Sequence, residues 1–354
     1  MPNPHSIPSG PQDITAQWLT DVLGVPVDAV RVEPIGTGQT GATYRVTPTA
    51  PPESRLPPTL VAKLPAQDPA IRERCALGYR SECAFYDEVA ASVAVPLPAI
   101  HHCAITESAT DFVLLLEDLA PAAQGDQLAG CTPEQAAPAV TALAGLHGPR
   151  WCDPAWLTFT GTAMPKPDAN LAAGLAAITR TALDITLDRL GDRLADRATL
   201  ERVADLTERW LLYAPDRFSV LHGDFRVDNL LFHPGDARIT VVDWQTVSVG
   251  LPARDLAYFL GTSLLPPVRA ERERDLVARY HRALAGHGVT GYTAETCWQD
   301  YRIGMLQIPV LTALGFAFAA ATDRGDDMVA TMLDRGCRAI SELGTLDLIA
   351  SECD

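Results

Sequence analysis

His222-Gly223-Asp224-Phe225-Arg226-Val227-Asp228-Asn229, followed by Val241-Val242-Asp243-Trp244, is the stretch that decides the fold. Asp224 and Asn229 stand five positions apart on one loop, and Asp243 arrives 14 positions later at the end of an apolar strand. Two short strands around the turn His233-Pro-Gly-Asp236 are expected to return Asp243 to the side of Asn229. Phosphoryl transfer asks a protein for few parts: a carboxylate that orients and deprotonates the attacking hydroxyl, and hard oxygen ligands for Mg²⁺. On this reading Asp224 is the catalytic base, and Asn229 and Asp243 are the metal ligands. Arg226, two residues after Asp224, suits the γ-phosphate, since a guanidinium matches phosphate geometry. An ion pair with Asp228 or Asp255 is its structural alternative.

Upstream lies Gly36-Thr37-Gly38-Gln39-Thr40-Gly41. Alone this string is weak, because a dinucleotide-binding fold uses it too, with a helix beginning at the third glycine. Here Ala42–Val46 continues as a strand, so Gly36, Gly38 and Gly41 read as a hairpin whose backbone N–H groups approach phosphates. Lys63, in Leu60-Val61-Ala62-Lys63, matches a strand lysine that reaches the α/β phosphates of ATP. Its expected partner is Glu82, which shares a helical face with Cys75, Tyr79, Phe85 and Tyr86, because a carboxylate on an apolar face is usually paired.

Around these residues the hydrophobic period changes along the chain. Residues 12–24 read as a short amphipathic helix. Strands follow at Val30–Val32, Thr43–Val46 and Thr59–Leu64, with Thr47–Pro58 a loop, a helix over Ile71–Ser92, and strands at Ala104–Ile105 and Phe112–Leu116. Beyond Glu117 the pattern is helical over 132–147, 168–190, 194–213, 268–286, 293–322 and 324–350. It is interrupted by short strands at Phe218–Leu221, Leu230–Phe232 and Ile239–Val242. The expected fold class is α+β: a nucleotide-binding lobe over residues 1–118 and a catalytic, acceptor-binding lobe over 119–354.

The 354 residues are 47% hydrophobic and 20% charged, ordinary for a globular protein. A net charge of −16 argues against a nucleic-acid partner and against docking on anionic lipid. Residues 1–118 carry 7 basic against 14 acidic side chains and the rest 21 against 30, so the acid is spread and marks no site. The eight cysteines form no CxxC pair and read as reduced thiols. Ile303–Ala321 lacks charge but is diluted by Gln307, Pro309 and Thr312, which favours a buried helix over a membrane span. The N-terminus lacks signal-peptide features, so a cytoplasmic location is expected.

The set Gly36–Gly41, Lys63, Glu82, Leu116-Glu117-Asp118-Leu119, Leu143–His147, His222–Asn229, Asp243-Trp244-Gln245 and Asp255-Leu256-Ala257 resembles the aminoglycoside phosphotransferase and choline kinase superfamily. His-Gly-Asp-Phe, Asp-Trp-Gln and Asp-Leu-Ala-Tyr-Phe-Leu are most similar to its ecdysteroid-kinase-like branch. The resemblance implies a protein-kinase-like two-lobed fold, a Leu114–Leu119 hinge in which Glu117 and Leu119 contact adenine, a bracing role for Asp255 and a structural His147. Asp243 and Arg254 are only 11 positions apart, which leaves no room for an activation segment and no protein substrate to expect. The expected activity is ATP- and Mg²⁺-dependent transfer to a hydroxyl, less readily an amine, of a small molecule. Aminoglycoside or choline-type acceptors, a pseudokinase binding module and a dinucleotide oxidoreductase are the alternatives. Asp323, Asp326 and Asp327 are either acceptor contacts or a solvated helix start.

Overall fold

The structure, a computed structural model, describes residues 7–36, 41–51, 54–194, 196–213, 216–235, 237–318 and 322–352. They form two compact units. Unit 1 comprises residues 1–91, 97–121 and 242–247; unit 2 comprises 92–96, 122–241 and 248–354.

Unit 1 begins with helix α1 (Ala16–Leu23), capped by the Thr15 hydroxyl on the Trp18 N–H and ended by Gly24 in the left-handed region. Strands β1 (Ala29–Ile35), β2 (Gly41–Thr49), β3 (Leu60–Pro65), β4 (Ile100–Ile105) and β5 (Phe112–Glu117) form an antiparallel sheet of order β1-β2-β3-β5-β4. Alternation decides which side chain faces which layer. Leu60, Ala62 and Leu64 of β3, with Val113 and Leu115 of β5, join Trp18 and Leu19 in one core. The opposite positions, Lys63 among them, belong to the face covered by helix α2 (Pro69–Ala84), where Tyr79 stacks on Phe112 at 4.4 Å. Beyond Ala84 the helix widens to a π turn over Phe85–Val89, which puts Phe85 flat against Trp244 at 3.6 Å.

The loop expected from Thr47 is a strand as far as Thr49. Past Val46 only β1 remains as a partner, so Pro48 occupies an edge where its missing N–H costs nothing.

Unit 2 contains β6 (Ala123–Gln124), α3 (Pro133–His147), α4 (Ala169–Leu190), α5 (Arg197–Leu212), β7 (Ser219–Leu221), β8 (Leu230–Phe232), β9 (Ile239–Val241) and β10 (Ser248–Gly250). It continues with α6 (Ala253–Ser263), α7 (Pro266–Gly286), α8 (Ala294–Gly304), α9 (Gln307–Phe318), α10 (Asp323–Leu343) and α11 (Thr345–Glu352). Helix α6 is buried along its whole length and packs against α8, α9 and α10. The helix expected over 293–322 is two, α8 and α9. That over 324–350 divides at Gly344, whose φ of 61° closes α10. Strands β8 and β9 pair antiparallel, as do β7 and β10, and these short ladders frame the loop from His222 to Asn229. Among the described residues no helix is long and apolar enough to cross a membrane.

Candidate active site

In unit 1, Lys63 Nζ lies 2.7 Å from Glu82 Oε2 and 2.9 Å from Asp243 Oδ1. Glu82 is buried and gathers two more donors: the Trp244 N–H at 3.3 Å and Gln245 Nε2 at 3.2 Å. Burial works to lower the Lys63 pKa, but Asp243 and Glu82 outweigh it and hold the ammonium above its ordinary range. Burial pushes the Glu82 carboxyl up against the opposing pull of Lys63. Asp243 takes a φ of 68°, a left-handed conformation that aspartate tolerates better than most residues. This fits the absence of a glycine after it: Gln245 holds Glu82, and Gly78 lets α2 approach, since a Cβ there would lie 3.2 Å from Gln245 Cβ. Gly36 has a φ of 76°, and a Cβ on Gly41 would sit 3.2 Å from the Leu64 carbonyl. Gly38 lies outside the described residues. Glu117, at the end of β5, is committed to Ala99: its N–H donates to the Ala99 carbonyl at 2.8 Å, and its carboxylate accepts the Ala99 N–H at 3.1 Å. Asp118 accepts from Arg45 Nε at 2.6 Å, and Leu119 follows in the connector.

In unit 2, Gly223, with a φ of 86°, turns the chain after β7, and a 3₁₀ turn over Val227–Asn229 delivers it to β8. The Asp224 carboxylate receives Arg226 Nε at 3.1 and 3.0 Å on its two oxygens, Asn229 Nδ2 at 3.0 Å and the Tyr258 hydroxyl at 3.0 Å. Arg226 Nη1 extends to Asp228 at 2.6 Å and to the Met328 sulfur at 3.4 Å. Burial would lower the pKa of Arg226, yet Asp224 and Asp228 carry it above the ordinary value, so it stays a cation. Asn229 also donates to the Asp224 carbonyl at 2.8 Å, which leaves its side-chain oxygen as a hard donor.

The loop is braced from α6. Asp255 accepts the backbone N–H of His222 at 2.7 Å and of Gly223 at 3.0 Å, and His147 Nε2 lies 3.3 Å away. His147 is buried with Nδ1 2.9 Å from the Tyr280 hydroxyl, a wholly internal setting. With Asp255 so engaged, the ion pairs of Arg226 go to Asp224 and Asp228. Asp326 and Asp327 of α10 are taken by Arg189 and Arg193.

Tyr258 and Gln245 are site residues that the sequence reading quoted within motifs without assigning them a role. Both follow a recognised acid closely, Tyr258 one helical turn after Asp255 and Gln245 two residues after Asp243. Spacing was the available signal.

Curated relatives match only a short segment. Acyl-CoA dehydrogenase family member 11 of Gallus gallus is 50% identical over 44 residues, 12% of this chain and 6% of that protein. Acyl-CoA dehydrogenase family member 10 of Mus musculus is 36% identical over 92 residues, 24% and 8%. The match thus spans under a tenth of either relative. Solved structures match over nearly the whole chain. Spectinomycin phosphotransferase APH(9)-Ia, in complex with ADP and spectinomycin, has a TM-score of 0.52 at 11% identity, covering 97% of this chain and 98% of that one. The ethanolamine kinase of Plasmodium vivax has 0.52 at 12%, covering 90% and 82%. A Ralstonia eutropha protein, provisionally an aminoglycoside phosphotransferase, has 0.58 at 18%, covering 92% and 96%. These place the fold among the kinase-like α+β proteins. A profile of the phosphotransferase enzyme family matches residues 31–294, and to that family this chain belongs.

Proposed function

We propose that the protein transfers the γ-phosphoryl group of ATP, with Mg²⁺, to a hydroxyl of a small organic molecule. The observation that carries the reading is the double pairing of Lys63 with Glu82 and Asp243. A largely enclosed lysine held between a buried acid and a partly exposed one, the latter on the segment after the catalytic loop, is costly to build for stability alone. It is well suited to meet phosphate oxygens. In this reading Gly36, Gly38 and Gly41 cover the phosphates, and Glu117 and Leu119 lie beside adenine. Asn229 and Asp243 are the residues that would hold Mg²⁺, since amide and carboxylate oxygens suit a hard cation. Bound Mg²⁺ would neutralise charge on the triphosphate.

Asp224 takes the proton of the acceptor hydroxyl as its oxygen attacks the γ-phosphorus. The new O–P bond forms, the bond to the β–γ bridging oxygen breaks, and ADP leaves with that electron pair. Arg226, by gripping both Asp224 oxygens, fixes the carboxylate and keeps a cation beside the γ-phosphate. Within the family we place the chain nearest the ecdysteroid-kinase-like branch, on His222–Phe225 and Asp243–Gln245, and we propose a cytoplasmic location. The nucleotide reading is supported by the ADP complex of the spectinomycin enzyme.

The test is an ATP-consumption screen against alcohols, aminoglycosides, choline, sugars and hydroxylated acyl thioesters, with products identified by mass. The thioesters are included because the curated relatives are named for acyl-CoA chemistry. Asp224→Ala is expected to lower transfer by about 10²–10⁴-fold while Mg-ATP binding persists. Full turnover in that variant would sink the assignment of the base.

A further inference from the structure

When Asp224 takes the acceptor's proton it changes from a carboxylate to a carboxylic acid, and its neighbours differ in whether they can meet both forms. Guanidinium and amide N–H groups donate hydrogen bonds and cannot accept them. Among the described residues, the partners of Asp224 Oδ2 are of that kind: Arg226 Nε and Asn229 Nδ2, each at 3.0 Å. Oδ1 is shared between Arg226 Nε at 3.1 Å and the Tyr258 hydroxyl at 3.0 Å. A hydroxyl can do both, so Tyr258 is the partner able to donate to the carboxylate and to receive from the acid.

Behind Tyr258 stands a second hydroxyl. Helix α9 packs on α6 and reaches the catalytic loop through Gln307, whose Nε2 donates to the Gly223 carbonyl at 3.4 Å. Further along α9, Thr312 is buried beside the Tyr258 hydroxyl. Its Oγ1 nevertheless completes no hydrogen bond among the described residues, a destabilising state for a buried hydroxyl. An oxygen left open at that place is what the Tyr258 hydrogen would need if it turned away from Asp224. Burial and the charge of Asp224 push the Tyr258 hydroxyl well above its ordinary pKa, so Tyr258 keeps its proton throughout.

We propose that Tyr258 and Thr312 are positioning residues for the base, two hydroxyls whose hydrogen bonds reverse when Asp224 receives the acceptor's proton on Oδ1. Before transfer, Tyr258 donates to Asp224 Oδ1. After it, the acid on Oδ1 donates to the Tyr258 oxygen, and Tyr258 turns its own hydrogen to Thr312 Oγ1. No O–H bond of either hydroxyl breaks: the Tyr258 hydrogen swings about its C–O bond, and the one proton that changes owner is the acceptor's. A proton on Oδ2 would instead point at N–H groups that cannot receive it. The inference rests on the kinase reading above and deepens it by naming the oxygen that takes the proton.

Asp224→Asn holds the reversed pattern without ATP or acceptor. Its amide oxygen must face the donors Arg226 and Asn229, which sets its NH₂ toward Tyr258. In the wild type, Thr312→Val removes an unpartnered hydroxyl and is expected to leave Tm within about 1 °C or to raise it. In Asp224→Asn the same substitution removes a hydrogen bond and is expected to lower Tm by about 2–4 °C. Adding Tyr258→Phe to Asp224→Asn should erase that difference, and Thr312→Ser, which keeps the hydroxyl, should show none. Equal effects of Thr312→Val in the two backgrounds, or a difference that survives Tyr258→Phe, would overturn the proposal. An isotope label on tyrosine Cζ, assigned by loss of its NMR signal in Tyr258→Phe, reads the hydroxyl directly. That signal is expected to move on Asp224→Asn and to shift again when Thr312→Val is added; a signal unmoved by Asp224→Asn would count against the reversal. An acceptor screen that yields no phosphorylated product would overturn the kinase assignment instead, while the Tm comparison, which needs neither ATP nor acceptor, still judges the hydroxyl pair.

Discussion

Replacing Asp255 with asparagine would test how the catalytic loop is held. The carboxylate is fully buried and accepts two backbone N–H groups, from His222 at 2.7 Å and Gly223 at 3.0 Å, one on each oxygen. Asparagine has a single acceptor oxygen, so one of those amides would face an NH₂ group. A hydrogen bond to a charged acceptor contributes about 1.5–3 kcal/mol, and a buried donor left unpaired costs about 1–3 kcal/mol. His147 would also lose the charge beside its Nε2. Together these make a loss of about 3 kcal/mol. For a unit the size of unit 2, each kcal/mol lowers Tm by roughly 2–4 °C, which gives a drop of roughly 6–12 °C. Thermal denaturation followed by circular dichroism measures it. Native-state hydrogen exchange provides a local readout, with the His222 and Gly223 amides expected to exchange about 10²-fold faster. A Tm within 2 °C of wild type, together with unchanged exchange at those amides, would refute the bracing role.

Two further predictions concern unit 1. Burial would raise the Asp118 carboxyl, but the bond from Arg45 overrides this and leaves it below its ordinary range. Arg45→Met should therefore cost about 1 kcal/mol at pH 7, a small figure because Arg45 is half-open to water. A depressed pKa stabilises above the unfolded value of about 3.9 and ceases to do so as pH falls through the folded one. Urea midpoints of variant and wild type should converge below about pH 4, and a constant gap down to pH 2 would contradict the pairing. Separately, a hydrogen bond from Cys83 draws the half-buried Cys103 thiol below its ordinary value, while that contact and burial push Cys83 up. Iodoacetamide followed by peptide mass mapping should label Cys103 first, and prior labelling of Cys83 would count against this arrangement.

The residues legible in sequence were those carried by short motifs or fixed by local periodicity. Strand alternation put Lys63 on the face opposite Leu60, Ala62 and Leu64, and helical spacing turned Glu82 inward, so their meeting followed from two short patterns. The pairing of β8 with β9 followed likewise from two apolar runs around a tight turn. No helix was expected over Ala253–Ser263, which reads in sequence only as the motif Asp-Leu-Ala-Tyr-Phe-Leu; the helix is amphipathic in sequence, yet tertiary packing buries its polar side with the rest. Tyr258 stands in that motif without a role. The partners of Arg226 could not be chosen from sequence, since Asp228 and Asp255 were equally plausible acids until the backbone amides of His222 and Gly223 were seen to occupy Asp255. Asp326 and Asp327, near the start of α10, have their arginines on and just after α4, more than 130 positions earlier, a separation at which no local pattern speaks.

The segment from Val242 to Val247 is folded into unit 1, although the chain on either side of it belongs to unit 2. It supplies Trp244 to the ring stack with Phe85, and Asp243 and Gln245 to the polar cluster around Lys63 and Glu82. During synthesis, the first 121 residues therefore leave the ribosome without their last core piece. At about 5–20 residues per second, residues 122–241 take roughly 6–24 s to follow. Over that interval Lys63 and Glu82 have only each other, and the Phe85 ring lacks its cover. A nascent chain arrested near residue 121 would be a natural client for a chaperone that binds exposed aromatic surface, and one arrested well past residue 247 would not.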